Sequence, residues 1–429
     1  METNKKRNFE FVTLREEEFY AFSKNHPQES FMQTVPLGNL KKELGDKVHY
    51  LGVKEAKKIV CATLILEEPS IIGRKSFYAP RGYLIDYNDL ELLSFFTENL
   101  ERFCKRRKGF RIIIDPNVIY QIRSSDGDEI SEEKADYVIN NLASIGYKHF
   151  GFNLYSEALQ MRWEYRLKLD KTYEEIKQGY SKSTRKNIDN CYKKGLRVRK
   201  GNIDDLKSLS DIFEATSKRK EFKGRSYEYY QKMYHHMHDL MTIYIAYIDP
   251  EVYLESSKKN LLDEEENNKK IVDKMQKDMV GSKLKNQLET SNKLIEKYKE
   301  ELKKAERFKN DNPNGLDIGA LLSMASGDEY LTLSSGMIEE YRAFTPKYAM
   351  YDAHVKDSLS NNYKWVDFYG ITGCFDKNDK YYGIYEFKKG FNGNVVELVG
   401  QFEKSISWFN TIYKLAKKIL KRWSYSSFF

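Results

Sequence analysis

The sequence predicts a mixed α/β (α+β) fold: two tandem copies of one unit in a single globular domain, with an antiparallel helical hairpin inserted in the second copy. Two observations predict it. Strand-like and helix-like apolar runs follow the same order twice. Residues 251–309 carry no proline, one glycine and dense charge of both signs, the composition of helices without a core of their own. The 429 residues, 40% of them hydrophobic, suffice for two ordinary cores.

In the first copy a strand starts at Phe9 and a helix carries Leu37, Leu40, Lys41 and Leu44. Strand-like runs follow at 48–53, 59–66 and 76–79. A helix over 90–105 places Leu92, Leu93, Phe96, Leu100 and Phe103 on one face, spaced for packing on a sheet. A buried strand over 110–114 stops at Asp115-Pro116, a helix is predicted over 131–144, and further strands run to Leu169. The second copy repeats the order, with helices over 203–216 and 226–238 and strands over 242–248, 318–324 and 330–333. A helix over 348–359 leads to the strand 365–368 containing Asp367. Asp115 and Asp367 are predicted at comparable strand ends, facing a cleft between the copies. The element order resembles the acetyltransferase-type (GNAT-type) fold. The predicted division is 1–165 for the first unit, 166–250 with 310–429 for the second, and 251–309 for the arm.

In the arm, Leu284, Leu288, Ser291, Ile295, Tyr298, Leu302 and Ala305 keep an alternating four-and-three spacing. Leu254, Leu261, Val272, Met275 and Met279 form a weaker seam, with Glu265 and Asn268 between them. The two seams lose phase across Val280-Gly281-Ser282. That break favours a coiled-coil hairpin over one long helix in a parallel dimer, with legs roughly 40 Å long.

A formal charge of +8 favours polyanionic partners without naming one. Cys61, Cys104, Cys191 and Cys374 stand far apart, which supports neither a disulfide framework nor a zinc site and points to a reducing cytoplasm. The start METNKKRNFEF has no apolar signal region, and no run of roughly 18 apolar residues occurs, so secretion by that route and membrane spanning are not expected. Contact with a membrane face stays open.

Residues 362–400 are the predicted working stretch. The strand 365–368 ends at Tyr369-Gly370, a loop follows, and the chain returns through 385–387 into Lys388-Lys389-Gly390-Phe391-Asn392-Gly393. Two ammonium groups beside glycines suit phosphate; a lysine-guarded hairpin edge is the competing reading. Residues 180–201 gather Lys182, Arg185, Lys186 and five further basic residues with Asp189 as the single acid, favouring a structured RNA or another polyanion over a plain solvated face. His235 to His238 sits on an amphipathic helix without acid or cysteine partners at zinc spacing, so no metal is predicted. There is no nucleophile constellation and no GxxxxGK[ST] loop.

The segments SFMQTVPLGNLK, PRGYLIDY, the strand end IDP, SKSTRKN with KKG, KRKEFKGRSYEYY, the helical arm, WVDFYGITG and EFKKGFNG resemble, in order and over nearly the whole chain, the Fem family of aminoacyl-tRNA-dependent peptidoglycan peptidyltransferases. The resemblance implies transfer of an amino acid from aminoacyl-tRNA to the stem peptide (Lys side chain or growing bridge) of a peptidoglycan precursor, lipid II or UDP-MurNAc-pentapeptide. It implies no cofactor, and a cytoplasmic enzyme working against the inner membrane face. Carried over by position, Lys388 and Asp115 are implied as catalytic, and Lys41, Arg225, Tyr229 and Phe387 as substrate contacts. Lys182, Arg185 and Lys186 are the tRNA-binding candidates from the basic segment. Two other classes stay open: a noncatalytic RNA- or envelope-associated scaffold with a partner-recruiting arm, and a CoA-dependent N-acetyltransferase. The latter lacks its glycine-rich pyrophosphate loop.

Overall fold

The apolar alternation of the chain resolves into two β-sheets that exchange strands. The computed structural model describes residues 7–277 and 281–421. Strand β1 (Phe9–Thr13) is followed by helices α1 (Glu16–Ser23) and α2 (Val35–Glu43), the latter capped by Thr34, whose hydroxyl accepts from the Leu37 N–H. Strands β2 (Lys47–Glu55), β3 (Lys58–Pro69) and β4 (Lys75–Ala79) continue an antiparallel meander. Helix α3 (Leu90–Arg106) starts where the Asp89 carboxylate accepts from Leu92 N–H, and it buries Leu92, Leu93, Phe96 and Leu100. It crosses over to β5 (Gly109–Ile114), which runs parallel to β4.

After β6 (Ile119–Arg123), α4 (Asp136–Ser144), β7 (Lys148–His149), β8 (Trp163–Lys168), α5 (Tyr173–Gly179) and α6 (Lys182–Lys193), the plan repeats. Strand β9 (Leu196–Gly201) leads through α7 (Leu206–Arg219) and α8 (Tyr227–Met237) to β10 (Met241–Ile248). The paired helices α9 (Pro250–Lys277) and α10 (Ser282–Asp311) then project before β11 (Leu316–Ser326) and β12 (Glu329–Met337). Helix α11 (Pro346–Ser360) crosses to β13 (Trp365–Ile371), parallel to β12 as β5 is to β4. Helix α12 (Tyr382–Lys389), β14 (Asn394–Leu398), β15 (Phe402–Ser405) and α13 (Phe409–Lys421) follow. Strands β9 to β13 thus repeat β1 to β5, and the fold is the expected tandem of acetyltransferase-like units.

The strand orders are β1-β2-β3-β4-β5-β15-β7 and β6-β14-β8-β13-β12-β11-β10-β9. Three strands cross the expected division of the chain. Strand β6 pairs in the second sheet, β8 spans residue 165 and pairs there too, and β15 returns to fill the first sheet between β5 and β7. Burial follows the sheets: Leu51, Ile65, Phe96, Ile112 and Phe402 share one core, and Leu167, Ile318, Met350, Phe368 and Phe391 another.

Several predicted elements shift. Helix α4 begins at Asp136 rather than Ser131, and β12 runs on through Ser334-Ser335-Gly336. The stretch 385–387 is not a returning strand but part of α12. Its buried residues Tyr385 and Lys388 are three apart, a helical interval that alternation would set on opposite faces. In the arm Tyr253 meets Glu301 and Lys309 meets Glu251, so the legs are antiparallel. Glu264 and Asn268 face Ser291, whereas Glu265 is exposed. Met279 and Val280 lie outside the described residues, and Gly281 precedes α10 with an ordinary φ of −78°.

Candidate functional site

Where the two sheets meet, buried charges from six separate segments close into a ring. Asp115 follows the last position of β5 paired with β4, and Asp367 is the last position of β13 paired with β12, so the predicted equivalence holds with a one-residue offset. Asp115 accepts from the Tyr78 hydroxyl at 2.7 Å and from the Arg81 backbone N–H at 2.6 Å. The Arg81 guanidinium reaches Glu164 of β8 at 2.8 Å and the Met161 carbonyl at 3.0 Å. Arg166, two positions along the same face of β8, donates to Glu164 at 2.6 Å, pairs with Glu329 of β12, and lies 3.5 Å from Asp367. Asp367 accepts from Tyr369 N–H at 2.6 Å, and Gln160 joins the Tyr369 hydroxyl (3.0 Å) to that of Tyr78 (3.2 Å).

Lys388 completes the site. Strands β12 and β13 pair only from 329–331 to 365–367. Just beyond, the Lys388 ammonium donates to the Tyr369 and Gly370 carbonyls at 3.0 and 2.6 Å. Those donations meet main-chain acceptors past the parallel pairing, and they use two of the three donors of an ammonium. Arg81 and Tyr369 both hold left-handed backbone, φ 52° and 62°. Such strain in non-glycine residues persists where surrounding contacts impose it.

Burial sets the protonation states. It raises the Asp115 carboxyl to about 6, against the pull of Arg81 and the Tyr78 hydroxyl. It lowers the Lys388 ammonium to about 7; Asp367 opposes the shift, and Lys347 and Lys220 add to it. Burial also raises Asp367 far above the carboxylate range, reinforced by the Glu164 charge, and its Oδ2 accepts no hydrogen bond. Glu164 feels the same burial but sits between Arg166 and Arg81, which keep it ionised.

The remaining predicted residues are not members of this ring. Phe387 packs on Tyr348, Tyr351 and Phe391. Gly390 and Gly393 do not cradle an anion. A Cβ on either would come within 2.3 Å of the Thr184 Oγ1 or the Arg166 carbonyl, so they permit close chain packing. The N–H groups of Gly390, Phe391 and Asn392 are bonded to carbonyls at the end of α12, and Lys389 pairs with Asp126. The phosphate-loop reading of 388–393 is therefore replaced by a helix end with one buried lysine. Helix α6 abuts it, since Ser181 N–H donates to the Gly390 carbonyl at 2.9 Å. Lys182 and Lys186 are exposed there, while Arg185 donates to the Gln178 and Tyr180 carbonyls. Arg225 precedes α8 rather than lying on it, yet its guanidinium sits 4.9 Å from the Tyr229 ring. Lys41, on α2, pairs with Asp46 at 3.3 Å.

Sequence reasoning missed Arg81, Glu164, Arg166, Glu329, Tyr78 and Gln160. One signal was present: in Trp163-Glu164-Tyr165-Arg166-Leu167 the charges alternate with large apolar residues, the pattern of a strand with charge on a buried face. Two open surface depressions of about 430 and 460 Å³, around Lys168 to Trp365 and Thr13 to Tyr50, share no lining residue with the ring.

Comparison with known proteins places this architecture. Residues 14–421 match the FemAB family model. Aminoacyltransferase FemA of Staphylococcus epidermidis is 28% identical over 418 residues, covering 96% of this chain and 100% of the relative. Aminoacyltransferase FemB of the same species is 29% identical over 419 residues, with the same coverage. The crystal structure of FemX superposes with a TM-score of 0.74 at 22% identity, over 95% of this chain and 99% of that one, a likeness of fold. With the family model spanning every strand after β1, the arm and every segment of the ring, the chain belongs to the FemAB family.

Proposed function

We infer that the chain moves an amino acid from aminoacyl-tRNA to the stem peptide of a peptidoglycan precursor and so builds the interpeptide bridge of the cell wall. It is an aminoacyltransferase. The observation that carries the reading of its site is Lys388: a buried ammonium, held by two carbonyls beside the parting of β12 and β13, with one donor to spare.

Aminoacyl-tRNA is an activated ester, so its aminolysis needs orientation, a proton acceptor and stabilisation of one oxyanion. The acceptor amine attacks the ester carbonyl carbon, the C–O bond to the tRNA ribose breaks, and the ribose oxygen leaves with the proton that the nitrogen gives up by way of Asp115. Lys388 donates to the oxyanion. Asp115 takes the proton that the attacking nitrogen loses. Lys41, Arg225 with Tyr229, and Phe387 hold the precursor, as lipid II or UDP-MurNAc-pentapeptide, and Lys182, Arg185 and Lys186 hold the tRNA beside the end of α12. The enzyme works at the inner face of the membrane.

Purified protein incubated with a panel of radiolabelled aminoacyl-tRNAs and a muropeptide precursor should move label into the peptide. Absence of transfer across the panel and across both precursor forms would overturn this reading.

A further inference from the structure

Helix α13 turns only part of its surface to the fold. Phe409 is buried against Phe110, ring centroids 5.4 Å apart, and Tyr413 lies 5.0 Å from the same ring. On another face Ile412 and Leu415, in line with Trp408 just before the helix at spacings of four and three residues, are 46% and 57% exposed, and Trp408 71%. A distant segment carrying another exposed apolar side chain comes against the same helix. Arg74 lies 5.3 Å from the Phe409 ring, and the β3–β4 loop that it closes, Ser70 N–H donating to its carbonyl, carries Ile72 at 85% exposure. Ile72 is β-branched yet left-handed, φ 55°. That conformation is costly and does not serve burial here.

The surroundings are basic. Lys75 donates its N–H to the Lys108 carbonyl, so the turn after α3 lies beside the same loop. Among the described residues Arg74, Lys75 and Lys108 make no ion pair. A second copy of the chain docking here would set those like charges against each other. An RNA would use the cations and gain nothing from the exposed isoleucines and leucine. Apolar side chains including a tryptophan, beside unpaired cations, match an anionic bilayer surface, where such chains enter the headgroup boundary and lysines and arginines meet lipid phosphates. No helix among the described residues is long and apolar enough to cross a membrane, so the contact is peripheral.

We propose that Ile72, Trp408 and the Ile412 and Leu415 face of α13, with Arg74, Lys75 and Lys108, form a docking surface for anionic phospholipid membranes. The proposal rests on the functional reading only in giving the contact a purpose, namely reaching a lipid-linked acceptor.

Co-sedimentation with vesicles of phosphatidylcholine alone, and of phosphatidylcholine mixed with phosphatidylglycerol, tests it without any substrate. Wild type should partition onto the mixed vesicles, with salt weakening the binding. Ile72→Asp and the double variant Trp408→Ser, Leu415→Asp should each lower the partition coefficient by about tenfold or more. Transfer to water-soluble UDP-MurNAc-pentapeptide should be unchanged in both, which also shows that they fold. Failure of wild type to bind the mixed vesicles, equal binding by the variants, or loss of a dimer in place of vesicle binding would overturn the proposal. Absence of wild-type transfer to both UDP-MurNAc-pentapeptide and lipid II would instead count against the functional reading and leave the vesicle result standing.

Discussion

Arg81, just past β4, and Glu164, on β8, form a buried ion pair at 2.8 Å that joins the two sheets, each side chain no more than 5% exposed. Opposite charges removed from water together in this way cost little as a pair and much when one is left alone. Arg81→Ala should destabilise the protein by about 3 to 5 kcal/mol in urea unfolding. Arg166 remains beside Glu164, which sets the lower end of that range. An unchanged midpoint would mean that the sheets are held by their apolar cores alone.

Lys388→Gln should lower single-turnover transfer on the order of 10²-fold or more. Because burial brings the ammonium to about 7, wild-type transfer should fall as pH rises through that value, and the residual activity of the variant should lack this limb. Lys389→Gln, which removes an exposed pair with Asp126, should change stability by less than about 1 kcal/mol and leave the rate near wild type. Equal activity in both variants would remove α12 from the chemistry.

Asp115 carries a sign of its own. Its folded value, about 6, lies above the 3.8 of the free group, so the folded state holds the proton longer. Stability from this group is therefore present below about 4 and is lost as pH rises toward 6, by about 3 kcal/mol in all. Asp115→Asn should flatten the stability profile across that interval. A profile that keeps the wild-type slope would assign the loss to other carboxyl groups.

Lys182 and Lys186 are exposed, whereas Arg185 caps neighbouring carbonyls. Replacing the two lysines with Ala should weaken tRNA binding and lower its log–log salt slope by roughly 0.7 to 0.9 for each phosphate no longer neutralised. Arg185→Ala should cost about 1 kcal/mol of stability as well. An unchanged salt slope in the lysine variant would place the tRNA elsewhere.

The arm is not separable at its base. Tyr253 packs on Phe344 at 5.1 Å and Phe308 on Tyr341 at 6.2 Å, within the second core. Removing residues 262–297 behind a short Gly/Ser linker should leave the melting temperature within a few degrees. Phe308→Ala alone should cost about 3 to 5 kcal/mol. The reverse pattern in calorimetry would show that the outer arm, not its root, steadies the fold.

Most of the architecture was legible because its signals are local. The Leu92 to Leu100 stripe, the proline-free arm and the apolar strands each declare themselves within one window. Of the site, Asp115 and Asp367 were legible as strand ends and Lys388 as part of the lysine-glycine stretch, with the resemblance adding roles for Asp115 and Lys388. The middle of the ring is assembled by distant closure: Glu164 and Arg166 acquire meaning only when β8 joins β13 and Arg81 arrives from the other sheet. From the sequence alone Lys388 falls in a glycine-bearing stretch after a returning strand, because three aromatic and charged residues do not reveal a period. Its burial three residues from Tyr385 is what marks a helix.

The placement of β15 between β5 and β7 bears on the nascent chain. A ribosome that has released residues 1–165 has delivered every strand of the first sheet except the one that fills its gap. Until residues 402–405 emerge, the 111–114 edge of β5 stays unpaired, and β7 has no neighbour in the sheet. Such an edge is a template for pairing with other chains. Vectorial synthesis therefore leaves the first unit dependent on late residues, and a stop codon before 402 should yield an aggregating product rather than a half-size domain.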